Sequence, residues 1–228
     1  MDKNKFFTVI ITVVISVVIL LIIVNTIFND NSDVNQGNFR VSDTILTSIV
    51  ELEDKAQSAE EWKFDISQKN KISMLIQTVG DASIKEVYLE KVKVSSKNDI
   101  HIYIEQDNYG LSYKYEDIKN KKINIYTEEK AEGAYLIEFD INNEDVVLDF
   151  NIPDDVKEIR HDGTILNMAQ IPVSKIKFGV KYNLVIVQGQ DRINTCKVEL
   201  ELPNEKIITD GFSTERLNSS DFNFKVNY

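Results

Sequence analysis

The feature that most limits what this chain can fold into is an uncharged run of 23 residues from Phe6 to Phe28. As a helix this run, mostly Val, Ile and Leu, would rise about 35 Å, enough to cross a hydrocarbon core of about 30 Å. A helix is required because it alone satisfies its own backbone polar groups in lipid. Cleaved signal peptides have a shorter apolar region and a small-x-small site, and no Ala-x-Ala pattern follows this run. We therefore predict a retained transmembrane helix over 6–28.

The charged flanks of this helix predict its orientation. Lys3 and Lys5 precede it, whereas the first basic residue after it is Arg40. Positive flanks stay in the cytoplasm. We therefore expect a cytoplasmic stub (1–5), a polar tether (29–40) and an extracytoplasmic domain (41–228). The protein would be a single-pass protein of the cell membrane.

Three small hydroxyl residues share one face of this helix. Thr8, Thr12 and Ser16 are spaced four residues apart. Such residues allow close approach and hydrogen bonding between membrane helices, which would permit self-association. The alternative is that each hydroxyl only donates a hydrogen bond to the carbonyl four residues before it.

Period-two alternation of apolar and polar residues recurs through the rest of the chain, and it predicts strands with one buried face. We expect Asn142 to Asp145 to form a hairpin turn between two such strands. We expect Gly80-Asp81 to form a turn between two further candidates, Ile72 to Val79 and Ile84 to Val94. The stretch from Thr44 to Ala56 fits a strand or a helix face. The alternating apolar sets are Trp62, Phe64 and Ile66; Ile100, Ile102 and Ile104; Tyr135, Ile137, Phe139 and Ile141; Val146, Leu148, Phe150 and Ile152; Ile176, Phe178 and Val180; Tyr182, Leu184 and Ile186; Cys196, Val198, Leu200 and Leu202; and Phe222, Phe224, Val226 and Tyr228.

This pattern predicts a mainly β fold, with the transmembrane helix followed by an antiparallel β-sandwich that is Ig-like or jelly-roll-like. One sandwich over 41–228 is favoured because no Pro- or Gly-rich linker divides it. Two modules split near 127–133 are the alternative.

Composition excludes several classes of protein. The net charge of -11 opposes binding to nucleic acid, which requires Lys and Arg on the phosphates. A single cysteine, Cys196, excludes an intramolecular disulfide. The 22 Lys against four Arg, with abundant Ile and Asn, are typical of an AT-rich bacterial genome.

Residues with catalytic chemistry are sparse. The two nearest glycines, Gly179 and Gly189, are too far apart for a phosphate-binding loop. His101 lies on the polar side of its strand and Cys196 on an apolar side, so we interpret them as a solvated imidazole and a buried thiol. His161 is the only other histidine. We predict no catalytic and no cofactor-binding residue.

Calcium is the one metal that the sequence suggests. The loop from Asp154 to Asp162 carries four carboxylates, but Lys157 and Arg160 offset half of their charge. Asp140, Asn142 and Glu144 alternate as ligands would, without the turn glycine or distal Glu of an EF-hand. We interpret both segments as solvated, predict no metal site, and leave calcium at 154–162 as the alternative.

These features favour a binding or assembly module that contacts envelope or membrane proteins near the bilayer. One alternative is a membrane-tethered, carboxylate-based hydrolase of cell-wall polymers. Another is a minor-pilin-like filament subunit, although Lys5 and Ile10 stand where the prepilin pattern requires Gly or Ala and Glu.

Overall fold

Backbone hydrogen bonds join twelve strands into two antiparallel sheets in this computed structural model, which describes residues 38–55, 63–96, 100–152, 164–203 and 206–227. The strands are β1 (Phe39–Asp54), β2 (Lys63–Thr78), β3 (Ile84–Ser95), β4 (His101–Gln106), β5 (Leu111–Lys114), β6 (Ile123–Asn124), β7 (Thr127–Ala131), β8 (Ala134–Asn151), β9 (Phe178–Gln188), β10 (Ile193–Leu202), β11 (Phe212–Arg216) and β12 (Phe224–Asn227). The helices are α1 (Tyr115–Ile118), α2 (Thr164–Met168), α3 (Val173–Ile176) and α4 (Ile207–Asp210).

The first sheet has the strand order β11-β1-β2-β8-β4-β5, with β7 also paired to β8. The second has the order β12-β10-β9-β3-β6. Every strand pair is antiparallel, so the prediction of a mainly β fold with antiparallel sheets is confirmed. Both sheets belong to one compact unit, Gln36–Tyr228, and β7 pairs with β8 inside the first sheet.

The stretch from Thr44 to Ala56, which fitted either a strand or a helix, is a strand as far as Asp54. Its β-branched residues suit an extended backbone that has partners on both sides. β2 pairs with β1 along almost its whole length, and β11 pairs with residues Ile45 to Ile49. The strand begins at Phe39, which is fully buried and lies two residues before the predicted domain start.

The main hydrophobic core lies between the two sheets. Phe139 on β8 meets Tyr182 on β9 edge to face, with ring centroids 5.8 Å apart. Phe39 on β1 and Phe224 on β12 meet at 6.2 Å. The aligned inner faces of β2 and β9 supply fully buried aliphatic side chains to the same cluster. These contacts explain why apolar residues alternate along β4 and β10, since one face of each strand packs on the opposite sheet.

A second core lies at the other end of β1, β2 and β8. There Val50, Phe64, Ile66, Val146 and Ile152 pack against side chains of the short helices rather than against the second sheet. The other side of this cluster consists of Ile165, Leu166, Ile176 and Ile207 from the helices and Ile171 from the connection between α2 and α3. Ile176 therefore lies in α3, and its prediction as a strand residue was wrong.

Three buried polar side chains, the polar belt (Ser48, Gln68 and Asn70), separate the two cores on the inner face of β1 and β2. Ser48 Oγ donates to Asn70 Oδ1 at 2.8 Å, and Gln68 Nε2 donates to the same oxygen at 3.0 Å. Asn70 Nδ2 donates to the Ile141 carbonyl on β8 at 2.9 Å. The belt therefore ties three adjacent strands together.

The hairpin predicted at Asn142 to Asp145 was wrong, because Ala134–Asn151 is one continuous strand. The sequence shows a change of alternation phase at this point, and the structure absorbs it with bulges. Gln68 faces Asn143 and Ile66 faces Val147, so β8 inserts extra residues where β2 does not. Asp145 and Asp149 both have a φ of 54°, the left-handed conformation that Asp tolerates better than most residues. The turn predicted at Gly80-Asp81 is present.

The described helices have at most five residues, so none of them is long and apolar enough to cross a membrane. The predicted transmembrane segment 6–28, with Thr8, Thr12 and Ser16, lies outside the described residues. Trp62 and Tyr228 also lie outside them.

Candidate functional site

Two exposed tyrosines stack on one another at the edge of the first sheet. Tyr109 ends the 3-10 turn Asp107–Tyr109 after β4, and Tyr126 lies between β6 and β7. Their ring centroids are 4.5 Å apart and their planes differ by 20°. Their exposed fractions are 46% and 54%. We call them the tyrosine pair.

A buried glutamine binds the backbone beneath the tyrosine pair. Gln106 is only 5% exposed and lies between the two segments that carry the rings. Its Nε2 donates to the carbonyls of Tyr126 at 3.1 Å and Glu138 at 2.7 Å, while its Oε1 accepts from the Tyr126 N–H at 2.8 Å. Gly110 closes the turn at a φ of 63°, where a side chain would be strained. Gln106 therefore fixes the backbone of Tyr126 next to the turn that carries Tyr109.

An acidic face lies beside the pair, on the outer side of β1, β2, β8, β4 and β5. Glu105 accepts hydrogen bonds from Asn142 Nδ2 and from Ser112 Oγ, both at 2.6 Å. Lys69 Nζ lies 3.3 Å from Glu51 and 3.7 Å from Asp107. The carboxylates of the acidic face are Glu51, Glu105, Asp107, Glu138, Asp140 and Glu144, and its lysines are Lys69, Lys71 and Lys114. Carboxylates therefore outnumber lysines on this face.

Asp140 is the most perturbed carboxyl group of the acidic face. It lies opposite Glu105 on β4 and Lys71 on β2, and it is 8% exposed. Burial raises the pKa of Asp140 to about 7, with Asp107 and Glu105 adding to the rise and Lys71 and Lys69 opposing it. Burial also raises the pKa of Glu144. Asp140 therefore carries a proton in a large share of molecules near neutral pH.

Asn142 contributes one of six buried side-chain polar atoms that have no hydrogen-bond partner among the described residues. Its side chain is 1% exposed, and its Nδ2 donates to Glu105. Its Oδ1 has no hydrogen-bond partner among the described residues. A buried amide oxygen without a donor costs stability unless some group supplies the bond.

The structure places the sequence-predicted residues apart from one another. His101 is exposed on the outer side of β4, where its Nδ1 lies 3.3 Å from the carboxylate of Asp145. Cys196 is fully buried in the main core, and burial raises the pKa of its thiol to about 12. His161 and the calcium candidate from Asp154 to Asp162 lie outside the described residues.

The second calcium candidate lies within the acidic face. Asp140, Asn142 and Glu144 share one side of β8, as their spacing predicts. Asn142 donates from its Nδ2 to Glu105, and its Oδ1 is buried. Within the described ranges, no group of three or more His, Cys, Asp or Glu side chains could hold a metal ion.

The sequence did not point to the tyrosine pair. Tyr109 and Tyr126 lie in connections outside the alternating segments, and only the sheet topology brings them together. Gln106 did leave a signal, because it continues the inward phase of Ile102 and Ile104 where a third apolar residue would be expected. A polar residue at a core position calls for hydrogen-bond partners.

Comparison with known proteins found no matching family model, no matching curated protein and no matching solved structure. The function of this chain is therefore argued from its own residues.

Proposed function

We propose that this chain is a non-catalytic binding or assembly module of the cell envelope that contacts an envelope or membrane protein through the tyrosine pair. A transmembrane helix over 6–28 anchors it, and its Ig-like or jelly-roll-like sandwich lies outside the membrane. The observation that supports this proposal best is the exposed stack of Tyr109 on Tyr126 above buried Gln106.

The physics of interfaces favours a contact surface of this kind. Tyrosine is enriched at the positions that dominate protein–protein binding energy, since its ring offers a large apolar area with few rotatable bonds. Rings that are already stacked lose little conformational freedom on binding. Only five large hydrophobic side chains are exposed in the part of the chain that the structure describes, and these two contact each other.

The predicted anchor limits where the partner resides. A tether of about a dozen residues keeps the domain close to the bilayer. Partners in the membrane or near its surface are therefore favoured over distant targets. A photo-crosslinking amino acid placed at position 109 or 126 of the full-length chain, expressed in a low-GC bacterium, tests this directly.

Leu148 supplies the matched control, because it is 56% exposed and lies on β8 away from the pair. The proposal expects one envelope or membrane protein to be crosslinked from positions 109 and 126 but not from position 148. Equal yields from all three positions would contradict it.

The proposed topology has a separate test. Cys196 is fully buried, so a cysteine placed at exposed Glu53 would be the accessible thiol among the described residues. A membrane-impermeant maleimide should label Glu53→Cys in intact cells and leave the parent chain unlabelled. Labelling that requires permeabilised cells would refute an extracytoplasmic domain.

A carboxylate-based hydrolase is the second candidate, and one observation favours it. Asp140 and Glu105 lie opposite each other in adjacent strands but in different environments. Asp140 is buried with a raised pKa, whereas Glu105 accepts two hydrogen bonds. Glycoside hydrolysis uses a protonated and an ionised carboxyl group in this way. Release of soluble fragments from cell-wall glycan by the wild-type chain, abolished by Glu105→Gln, would favour this candidate over the binding module.

A further inference from the structure

We propose that Asp140 is a proton-controlled switch for the turn Asp107–Tyr109, so that the tyrosine pair is stacked when Asp140 is protonated and loosened when it is ionised. The change at the turn is a property of this chain alone. Its consequence for a partner rests on the proposed function, because it assumes that the partner contacts the pair.

The side chain of Asp140 is buried without a group that would balance its charge. It is 8% exposed and lies directly opposite Glu105 in the adjacent strand. Nothing among the described residues donates a hydrogen bond to its carboxyl group, and neither nearby lysine forms a salt bridge with it. A buried carboxylate in this position is costly, since like charges would face each other across the strands. The arrangement in this structure therefore suits the protonated form of Asp140.

The two lysines near Asp140 lie against other carboxylates. Lys69 Nζ is 3.7 Å from Asp107, and Lys71 Nζ is 3.9 Å from Glu138. Both lysines favour the ionised form of Asp140, whereas Asp107 opposes it. When Asp140 ionises, it therefore competes with Asp107 for Lys69 and at the same time repels Asp107. Ionisation weakens the contact between Lys69 and Asp107.

Asp107 connects this charge to the tyrosine pair. It is the first residue of the turn that carries Tyr109, and its carbonyl accepts from the N–H of Gly110, which closes the turn, at 3.1 Å. Gln106, which bonds to the Tyr126 backbone, precedes it directly. A shift of Asp107 therefore moves Tyr109 relative to Tyr126. Stacking of two rings whose centroids are 4.5 Å apart is sensitive to such a movement.

The charges around Asp140 set the pH range of the switch. Burial raises the pKa of Asp140 to about 7, so its carboxyl group is mainly neutral at pH 6 and mainly ionised at pH 8. The pair should therefore be stacked on the acidic side of this range and loosened on the alkaline side. The charged and titratable groups that face Asp140 or lie beside it on neighbouring strands are Lys69 and Lys71 from β2, Tyr103 and Glu105 from β4, Asp107 from the turn, Lys114 from β5, and Glu138 and Glu144 from β8.

A fluorine label at position 109 tests the switch in the full-length chain in detergent. 4-Trifluoromethylphenylalanine in place of Tyr109 keeps an aromatic ring and has no titratable hydroxyl. We expect its fluorine NMR signal to titrate with a midpoint near pH 7. Asp140→Asn should abolish this titration. Lys71→Met, which keeps the test usable if Asp140→Asn does not fold, should raise the midpoint, because Lys71 lowers the pKa of Asp140.

Two matched controls exclude other sources of a pH-dependent signal. The same label at Val79, which is exposed in the turn after β2, should not titrate in this range. His101→Gln should leave the titration at position 109 unchanged, since histidine also changes charge near neutral pH. A titration that survives Asp140→Asn, disappears in His101→Gln, or is absent between about pH 5 and pH 9 would overturn the inference.

Photo-crosslinking from position 126 separates this inference from the proposed function. If both are correct, the yield of crosslinked partner should be at least about fivefold higher at pH 6 than at pH 8, and equal at the two pH values in Asp140→Asn. A partner captured equally at both pH values without that substitution removes the switch and leaves the proposed function standing. A normal titration at position 109 with no crosslinked partner removes the proposed function and leaves the switch.

Discussion

Gln106 offers the sharpest test of how the tyrosine pair is held. Gln106→Ala removes three hydrogen bonds and leaves the Tyr126 N–H, the Tyr126 carbonyl and the Glu138 carbonyl without that partner. Each such bond contributes about 0.5–1.5 kcal/mol net, so the free energy of unfolding should fall by about 3 kcal/mol. For a domain of this size that corresponds to a decrease in Tm of roughly 6–12 °C.

Urea unfolding of the full-length chain in detergent, followed by circular dichroism, measures this loss. Gln77 is a half-buried residue of β2, and Gln77→Ala serves as the matched control. It should lower the free energy of unfolding by less than about 1 kcal/mol. Gln106→Glu should also be destabilising, because it keeps the acceptor for Tyr126 N–H but places an oxygen against two carbonyls. If Gln106→Ala costs no more than Gln77→Ala, the side chain does not hold the pair in solution.

Three further measurements test other parts of the structure. Cys196 should not react with a thiol reagent at pH 8 in the folded protein and should react fully in denaturant, because burial raises its pKa to about 12. Asp140→Asn should gain stability relative to wild type as pH rises from about 4 to 8, as measured by urea unfolding. Because the pKa of Asp140 is higher in the folded state, its protonated form stabilises the folded state fully at pH values below the unfolded pKa of 3.8. That contribution is lost as the pH rises through the folded pKa of about 7. Gly133→Ala should destabilise more than Gly110→Ala in thermal unfolding: both have positive φ, but only at Gly133 would the added Cβ lie 2.7 Å from Thr78 Oγ1.

Most strands could be predicted from the sequence because one face of each packs against the opposite sheet. The alternation of Cys196, Val198, Leu200 and Leu202 corresponds directly to β10. Alternation reports only which face is buried, however, and not what buries it. The pattern therefore does not reveal the second core, where short helices replace the second sheet, and it predicts a strand at Ile176, which lies in α3.

The failure at Asn142 to Asp145 has a definite physical cause. A change of alternation phase is produced equally well by a turn or by a bulge, since both shift the side chains by one position. The polar run from Asn142 to Asp145 favours a turn in the sequence pattern. The tyrosine pair lay beyond prediction for a different reason, since Tyr109 and Tyr126 meet only because β4 and β7 flank the same edge of β8.

The polar belt also helps to specify the register in which the long strands β1 and β2 pair. β1 and β2 have 16 residues each, and sliding one along the other by two positions leaves every side chain on its proper face. Hydrophobic packing alone discriminates poorly against that slip. In the native pairing Ser48 faces Asn70, whereas a slip would place Ser48 against Ile72 or Asn70 against Leu46. Each buried polar group left without a hydrogen bond would cost about 1–3 kcal/mol. The polar belt therefore destabilises the slipped pairings of β1 and β2 relative to the native pairing.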